Sequence, residues 1–214
     1  LDASLSYKAG QYANLYLTSL GTVARSYSFA TPVQADSQLR FFIRAVAGGA
    51  MSSLVNQRDL VGEAVEVEGP HGDFWLRAAE SPLLLAAGGS GLAPILAMLQ
   101  DAADKGVQRP VTLLFGAQQQ RDLYALDQIA ALAQRWPTRF TFVPVLSDAQ
   151  QDSQWQGRRG MVDSQIAALL PAGAQAYLCG PPPMVDACSA TLLSLGVAPD
   201  QIYADRFVIQ GRTH

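Results

Sequence analysis

Two short glycine-rich turns are the part of this sequence best suited to chemistry. Gly88-Gly89-Ser90-Gly91 follows the apolar run 83–87, and Cys179-Gly180-Pro181-Pro182 follows the apolar run 176–178. In an open parallel sheet, ligands bind outside the carboxyl ends of the strands, where the strand order reverses. If these runs are the first and fourth strands of such a sheet, both turns open into one crevice. The first turn can hold a diphosphate and the second places a thiol beside the same ligand, which suggests redox chemistry.

The first turn resembles the start of a dinucleotide fingerprint, but Pro94 stands where the third glycine would be, so the pattern alone is weak. A buried strand before it and a helix after it strengthen the interpretation, because a helix N-terminus attracts phosphate. The alternative is a tight strand–helix turn without a ligand. Cys179 has a similar alternative, since an unpaired cysteine is more often an inert core residue. Its place opposite the first turn favours a functional role.

A second group of chemically useful residues, Arg25-Ser26-Tyr27-Ser28-Phe29, lies in the N-terminal half. Arg25 offers two parallel N–H donors to phosphate oxygens. In a strand, Arg25 and Tyr27 share one face, while Ser28 points the other way or bonds through its backbone. A cation, an aromatic plane and a hydroxyl at this spacing suit a flavin nucleotide. The alternative is an ordinary polar strand edge.

The segment Gly48-Gly49-Ala50-Met51-Ser52-Ser53 supplies a second candidate anion site. Its glycines permit close backbone approach, and Ser52 either caps a following helix or donates to a phosphate. Further along, Gly69-Pro70-His71-Gly72-Asp73-Phe74 is typical of a turn before a strand. We interpret His71 as a loop residue rather than a catalytic base.

The composition excludes several classes of function. With 49% hydrophobic and 15% charged residues, the 214-residue chain is an ordinary globular protein. The net charge of -3 gives no reason to expect a nucleic acid or membrane partner, and no apolar stretch would span a bilayer. Two cysteines are too few for a [2Fe–2S] cluster, and two histidines make a metal site unexpected. The redox group must be organic, and without a signal peptide we expect a cytoplasmic protein.

The elements that position these residues form two halves, 1–78 and 79–214. In the first half, runs rich in β-branched and aromatic residues predict a small antiparallel β-barrel with one helix. In the second half, strands alternate with helices, which predicts an α/β doubly wound parallel sheet of five strands. The barrel strands are predicted at 14–17, 40–46 and 64–68, and the helix at 52–57. The sheet strands are predicted at 82–87, 110–116, 140–146, 176–178 and 201–207, the helices at 94–103, 122–134, 163–170 and 183–195, and a surface loop at 147–160.

Taken together, these motifs resemble the ferredoxin–NADP reductase superfamily of flavoenzymes. The match rests on four elements in order, Arg25-Ser26-Tyr27-Ser28, Gly49-Ala50-Met51-Ser52, Gly88-Gly89-Ser90-Gly91-Leu92-Ala93-Pro94 and Cys179-Gly180-Pro181-Pro182, which span nearly the whole chain. Finer features, Gly10-Gln11-Tyr12 and Asp205-Arg206-Phe207 among them, are most similar to reductase components of bacterial aromatic-ring mono- and dioxygenases of the phenol, toluene and benzoate type. The resemblance implies an FAD-binding β-barrel domain over 1–78 and an NAD(P)-binding α/β domain over 79–214.

The resemblance also implies roles for individual residues. Arg25 would hold the FAD pyrophosphate, Tyr27 would lie against the flavin, and Ser28 would hydrogen-bond near flavin N5. Gly49, Met51 and Ser52 would lie at the FAD phosphates, and Ser26, Ile43 and Arg44 would be further cofactor-binding residues. The nicotinamide dinucleotide would contact Gly88, Gly89, Ser90, Gly91, Pro94, Asp122, Gly180 and Pro181. Cys179 would border the nicotinamide, and Asp205 and Phe207 would close the other side of the flavin. The candidate catalytic residues are therefore Ser28, Cys179, Asp205 and Phe207.

The implied reaction is hydride transfer from the nicotinamide to FAD, after which electrons leave one at a time. The implied partners are a ferredoxin or [2Fe–2S] domain and an oxygenase component that acts on an aromatic substrate. Because only nine residues precede Gly10, we expect the first barrel strand to be truncated. The cluster domain that such reductases usually carry is not part of this sequence.

The choice of nicotinamide and two other functions stay open. Asp122, after the next predicted strand, favours NADH, whereas Arg121 could receive the 2′-phosphate of NADPH. One alternative function is an NAD(P)H:flavin reductase that releases reduced flavin, against which the diphosphate clamp of Arg25 and Gly49 argues. The other is an FAD-binding electron-transfer subunit without turnover, against which Pro94 and the Cys179 turn argue.

Overall fold

The computed structural model describes residues 5–21, 23–148 and 154–207, which form two sheets. The middle of the predicted loop 147–160 lies outside these ranges. Within them, none of the helices combines the length and the apolar character that crossing a membrane requires.

The first sheet has three antiparallel strands, β1 (Tyr12–Leu17), β2 (Ala24–Ser28) and β3 (Val65–His71), in the order β2-β1-β3. Alternate residues of β1 are buried and form a small core with Phe29 and Met51, as the period of a strand requires. An antiparallel sheet is thus confirmed where the barrel was predicted. Strand β2 escaped prediction because its sequence is mostly polar.

Two local predictions in this half are wrong. The segment 40–46 is not a strand, since its only ladder contact is an isolated bridge between Phe41 and Phe29. Instead, the Phe42 ring packs edge-on against Tyr124 of the second half, so the segment leaves the sheet. His71 is not in a loop, because β3 continues through it and pairs it with Tyr12. The predicted helix is present as α1 (Ala50–Gln57) and begins two residues earlier than expected.

The second sheet is parallel and has six strands in the order β7-β6-β5-β4-β8-β9. The five predicted strands are β4 (Leu83–Gly88), β5 (Val111–Ala117), β6 (Phe140–Leu146), β8 (Gln175–Gly180) and β9 (Ile202–Arg206). The sixth is the two-residue edge strand β7 (Arg158–Arg159), which lies in the segment predicted to be a loop. Two residues are too short a run for periodicity to reveal.

Four helices cover the two faces of this sheet. They are α2 (Leu92–Asp104), α3 (Leu126–Arg135), α4 (Asp163–Leu169) and α5 (Pro182–Ser194). Leu83 and Leu85 of β4 pack in a core with α2 and α3, whereas Leu84 packs in a core with α4 and α5. Strands β4 and β8 are therefore buried on both faces, which explains why their sequences are continuous apolar runs.

The two halves contact each other along the segment that joins them. The Phe74 ring lies 6.1 Å from that of Tyr177 in β8. Arg109, which is 3% exposed, donates to the carbonyl oxygens of Ser81 and Arg77 and to Oε1 of Gln175. These bonds tie the connecting segment to the second sheet.

Candidate functional site

The two glycine turns meet at the carboxyl ends of the neighbouring strands β4 and β8. A Cβ atom on Gly91 would overlap the carbonyl group of Cys179, and one on Gly180 would lie 3.1 Å from Cα of Gly88. The backbones approach this closely only because both positions are glycine. Chain order reverses between β4 and β8, so the turns share the switch-point crevice as the sequence predicted.

The first turn delivers the chain into the N-terminus of α2. Residues Gly89–Gly91 form a single 3₁₀ turn, after which α2 begins without a side-chain cap and without an acidic residue in its first turn. Pro94 is buried in the first turn of the helix, where its missing N–H is not needed. Ser90 is partly exposed beside these groups. The uncapped N–H groups and the helix dipole suit a diphosphate.

The N-terminus of α1 is similar, but its side chains act differently from the prediction. The Ser52 hydroxyl accepts a hydrogen bond from the Val46 N–H at 3.1 Å and donates to the Gly49 carbonyl at 3.2 Å. It therefore holds the preceding turn rather than facing a ligand. The Met51 side chain is 1% exposed in the small core, so only its backbone faces the helix start. Gly49, the N-cap residue, makes no side-chain cap, and the first-turn N–H groups stay available.

Two arginines of the first half are candidates for phosphate binding. Arg25 donates from Nη1 to the Ala24 carbonyl at 2.7 Å. Arg44 extends from the first half towards the first glycine turn, and its Nη1 lies 3.6 Å from where a Cβ on Gly89 would be. Within the described ranges, neither arginine forms an ion pair. The neighbouring Ile43 offers its carbonyl to Nδ2 of Asn56 at 3.2 Å.

The structure thus fits both nucleotide cofactors. Two uncapped helix N-termini and two arginines without a carboxylate partner make a donor set for two diphosphate groups. One helix N-terminus lies in each half, both arginines belong to the first half, and Arg44 lies beside the glycine turn of the second. An FAD and a nicotinamide dinucleotide each carry one diphosphate.

Strand β2 presents its residues on alternate faces, as its period predicts. Tyr27 pairs with the buried Ala13, whereas Ser28 pairs with Tyr12 on the other face. Burial raises the pKa of Tyr27 and the nearby Arg25 opposes that rise, so these two side chains are neighbours. Ser26 donates to Oδ1 of Asn14 at 2.7 Å. Ser28 is 6% exposed.

Cys179 and Asp205 are paired in register across β8 and β9. Burial raises the pKa of the Cys179 thiol well above its ordinary value, and the Asp205 carboxylate raises it further, so the thiol is neutral. The side chain is 0% exposed, which means that a nicotinamide ring would reach it only after a local rearrangement. What Cys179 presents at the turn is its backbone.

The carboxyl group of Asp205 has a pKa well above that of an ordinary aspartate. Burial raises its pKa to about 6, with a smaller contribution from the like charge of Asp73. Phe207 closes this side of the crevice, because its backbone N–H donates to the Gly180 carbonyl at 2.9 Å. Its ring packs on the core formed with α2.

The first sheet is linked to the surroundings of Asp205 through the end of β3. Ser28, Tyr12 and His71 form one row across the first sheet, since Tyr12 pairs with both of the others. The chain then passes from His71 to Asp73, whose charge acts on Asp205 at the end of β9. The His71 end of the row therefore lies towards the carboxyl edge of the second sheet, where Asp205 pairs with Cys179.

Asp122 lies beyond β5, in a 3₁₀ turn that precedes α3. Its carboxylate accepts a hydrogen bond from the Gln119 N–H at 3.0 Å, so one of its oxygens stabilises the turn. The side chain is exposed at the carboxyl end of the sheet. Pro181 is also exposed and caps the start of α5.

Sequence reasoning did not find Tyr124. Its hydroxyl donates to the Gly89 carbonyl at 3.0 Å, and its ring meets Phe42 and Phe115 edge-on. The local pattern around Tyr124 does not indicate this, because Gly89 and Phe42 lie 35 and 82 positions away in the sequence. Asp73 was missed for the same reason.

A cavity of about 240 Å³ lies at the opposite edge of the second sheet, between the loops that precede β8 and β9. It is separate from the glycine turns. The candidate site is therefore identified by its backbone turns and charges rather than by a deep cavity.

The chain matches two protein families along its length. Residues 1–75 match the oxidoreductase FAD-binding domain, and residues 85–190 match the oxidoreductase NAD-binding domain. Fold and site together define an FAD- and NAD-binding oxidoreductase. The chain belongs to the ferredoxin–NADP reductase superfamily, and FAD and a nicotinamide dinucleotide are its cofactors.

Its relatives are reductase components. The chain is 43% identical to the xylene/toluene monooxygenase electron transfer component XylA of Pseudomonas putida, over 96% of this chain and 59% of that protein. It is 38% identical to the phenol 2-monooxygenase reductase component DmpP of Pseudomonas sp. strain CF600, over 97% and 59%. The structure superposes on a ferredoxin reductase of carbazole 1,9a-dioxygenase with a TM-score of 0.86 and 29% identity, covering 97% and 62%. The chain spans about three fifths of the length of the curated relatives it matches.

Proposed function

We propose that the chain is the flavin and nicotinamide part of an FAD-dependent NADH reductase. It passes electrons one at a time to an iron–sulfur centre that feeds an aromatic-ring oxygenase. The observation that carries the proposal is the contact of the two glycine turns at the β4–β8 switch point, with Arg44 of the first half beside them. The names of the relatives support the acceptor, since XylA is an electron transfer component of a monooxygenase and DmpP a reductase component. The partners are a ferredoxin or [2Fe–2S] domain and an oxygenase component.

Residues 1–78 bind FAD and residues 79–214 bind the dinucleotide in this proposal. Arg25 and the N–H groups that follow Gly49 hold the FAD diphosphate. Tyr27 lies against the flavin, and the Ser28 hydroxyl donates at its N5 edge. Ser26, through its bond to Asn14, keeps β2 in register for these contacts.

The N-terminus of α2 holds the diphosphate of the dinucleotide. Gly88 to Gly91 and Gly180 allow its close approach, and Arg44 adds a charge from the other half. Asp122 retains one carboxylate oxygen for a ribose hydroxyl, which favours NADH. The FAD supplies the two-electron to one-electron conversion, which no side chain can perform.

The protein residues around the reacting rings orient them and exclude water. Phe207 covers the flavin side of the crevice, and the raised pKa of Asp205 lets its carboxyl group take up or release a proton near pH 6. The Cys179 backbone lies against Gly91, while its side chain is buried in the core. Because both cysteines are unpaired, we place the protein in the cytoplasm.

The test is to add NADH anaerobically to the FAD-loaded protein and follow absorbance near ~450 nm, the flavin band of such enzymes. Rapid bleaching, with FAD retained after desalting and electrons delivered to a [2Fe–2S] ferredoxin, is the expected result. Bleaching with loss of flavin would instead indicate a reductase that releases reduced flavin. An absence of bleaching would indicate a subunit that binds FAD without turnover. NADPH serves as the matched control for dinucleotide choice.

A further inference from the structure

Tyr124 occupies a position between the two halves that none of the assigned roles explains. Its hydroxyl donates to the carbonyl of Gly89, the residue at which the first glycine turn begins, at 3.0 Å. Desolvation raises the pKa of this hydroxyl, so it stays protonated and acts as a donor. The bond therefore holds the glycine turn that leads into α2.

The backbone next to Tyr124 is strained in order to place it there. Ala125 has φ +55° and ψ +24°, the left-handed conformation, although it carries a Cβ atom. This conformation is unfavourable for alanine and is kept only where the surrounding structure requires it. Ala125 follows Tyr124 directly and is the N-cap residue of α3, between the 3₁₀ turn Gln120–Asp122 and the helix.

The ring of Tyr124 is contacted from both halves. Phe115 of β5 meets it at 5.5 Å between ring centroids and 88°, and Phe42 of the first half meets it at 5.2 Å and 85°. Phe42 belongs to the segment 40–46, which fails to form a strand. Two residues later in that segment, Arg44 lies beside Gly89. The first half is thus connected to the first glycine turn in two ways. Phe42 contacts Tyr124, which bonds to Gly89, and Arg44 lies beside Gly89 directly.

We propose that Tyr124 is a positioning residue for the dinucleotide: its hydroxyl fixes the Gly89 carbonyl, and its ring couples that turn to Phe42 of the FAD-binding half. This inference rests on the proposed function for the identity of the ligand. If it is correct, the FAD-binding half contributes to the affinity for the dinucleotide through Tyr124, a side chain that contacts neither cofactor. Without the Tyr124–Gly89 hydrogen bond, the glycine turn is still formed, but the Gly89–Ser90 peptide loses the contact that orients its carbonyl group.

The principal variant is Tyr124→Phe, which keeps both ring contacts and removes only the hydroxyl. Binding of NAD⁺ to the FAD-loaded protein, measured by calorimetry, should weaken about three- to tenfold, the factor that corresponds to one net hydrogen bond. The KM for NADH should rise by a similar factor, while the FAD content stays unchanged. Tyr7→Phe is the matched control, because it also removes a buried hydroxyl, one that donates to the Thr31 and Pro32 carbonyls. It should lower the melting temperature and leave NAD⁺ affinity unchanged.

The ring contact is tested by a double-mutant cycle of Phe42→Leu and Tyr124→Leu on NAD⁺ affinity. If the contact couples the halves, the double variant binds NAD⁺ less weakly than the two single effects would predict together. Additive effects would overturn the coupling. Wild-type affinity in Tyr124→Phe, or an equal loss in Tyr7→Phe, would overturn the positioning role.

These outcomes are distinct from failure of the proposed function. Wild-type protein that is bleached by NADH, together with an unaffected Tyr124→Phe, refutes only the present inference. Wild-type protein that binds NAD⁺ but is not bleached, together with a weakened Tyr124→Phe, refutes only the reductase activity.

Discussion

Replacement of Asp205 by asparagine tests whether the carboxyl edge of β9 is as desolvated as the structure indicates. Burial, followed by the charge of Asp73, raises the pKa of Asp205 from 3.8 to about 6. The folded protein therefore binds the Asp205 proton more tightly than the unfolded chain does. Between pH 4 and 6 the folded state carries more protons, so its stability falls as the pH rises and then levels off above pH 6. The full pKa difference corresponds to a loss on the order of 3 kcal/mol.

Asp205→Asn removes this loss, because the amide stays neutral at every pH. We expect the variant to be more stable than the wild type by about 1–3 kcal/mol at pH 8, with the difference shrinking towards zero near pH 4. Urea unfolding at pH 4, 5, 6, 7 and 8 measures it, and FAD-free protein removes any contribution of flavin contacts. Asp73→Asn should lower the pKa of Asp205 and move the pH-dependent region to lower pH.

The matched control is Asp186→Asn. Asp186 of α5 is a 61% exposed carboxylate that forms an ion pair with Arg206, the neighbour of Asp205 in β9. Exposed ion pairs contribute only about 0–1 kcal/mol to stability. That variant should be slightly destabilised at neutral pH and should show no gain at pH 8. If Asp205→Asn were less stable than the wild type at pH 8, or if its difference did not depend on pH, the Asp205 carboxyl would not be desolvated and a proton-holding role would lose its basis.

Three further predictions separate the two cofactor sites. Arg25→Ala should weaken FAD binding about tenfold to a hundredfold, the factor expected for a charge-assisted hydrogen bond. If the flavin absorbance of the purified variant showed one FAD per chain, Arg25 would not hold the FAD diphosphate. Arg44→Ala should raise the dissociation constant of NAD⁺ by a similar factor with FAD content unchanged, whereas a loss of FAD instead would assign Arg44 to the other diphosphate. Ser28→Ala should slow flavin reduction in stopped-flow measurements at least tenfold at saturating NADH, the scale of one lost charge-assisted hydrogen bond, and equal losses of FAD affinity and rate would refute an N5 role.

The sequence predicts those parts of the fold that depend on local pattern. Strands β4 and β8 are covered on both faces, so they appear as continuous apolar runs, and the glycine turns that follow them mark the crevice. The segment 40–46 has the composition of a strand, yet Phe42 packs across the junction, and no local rule describes a partner 82 positions away. Strand β2 shows the opposite case, since a polar sequence pairs because β1 lies beside it.

The candidate site shows the same division. The close approach of the two glycine turns follows from residue type and spacing, because few residues allow such contact, whereas phosphate binding by Arg25 stays a prediction. The orientation of Cys179 is different: whether a thiol at the end of a strand faces the crevice or the core depends on the twist of the sheet. Here it is 0% exposed and faces the core. The contacts of Tyr124 and Asp73 depend on which loops meet in the folded protein. A single sequence does not show which loops these are.

The geometry of the junction decides the chemistry, since each half supplies one part of the same crevice. Arg44 crosses from the first half to Gly89, and Asp73 of the connecting segment acts on Asp205 of the last strand. A hydride moves efficiently only between atoms held at contact distance, and a displacement of about 1 Å can cost a hundredfold in rate. The buried Arg109, which has only neutral acceptors, fixes the connecting segment to the second sheet and so holds the two parts in place. In the proposed function, the approach of the two rings therefore depends on Arg109 and the connecting segment as well as on the residues assigned to the cofactors.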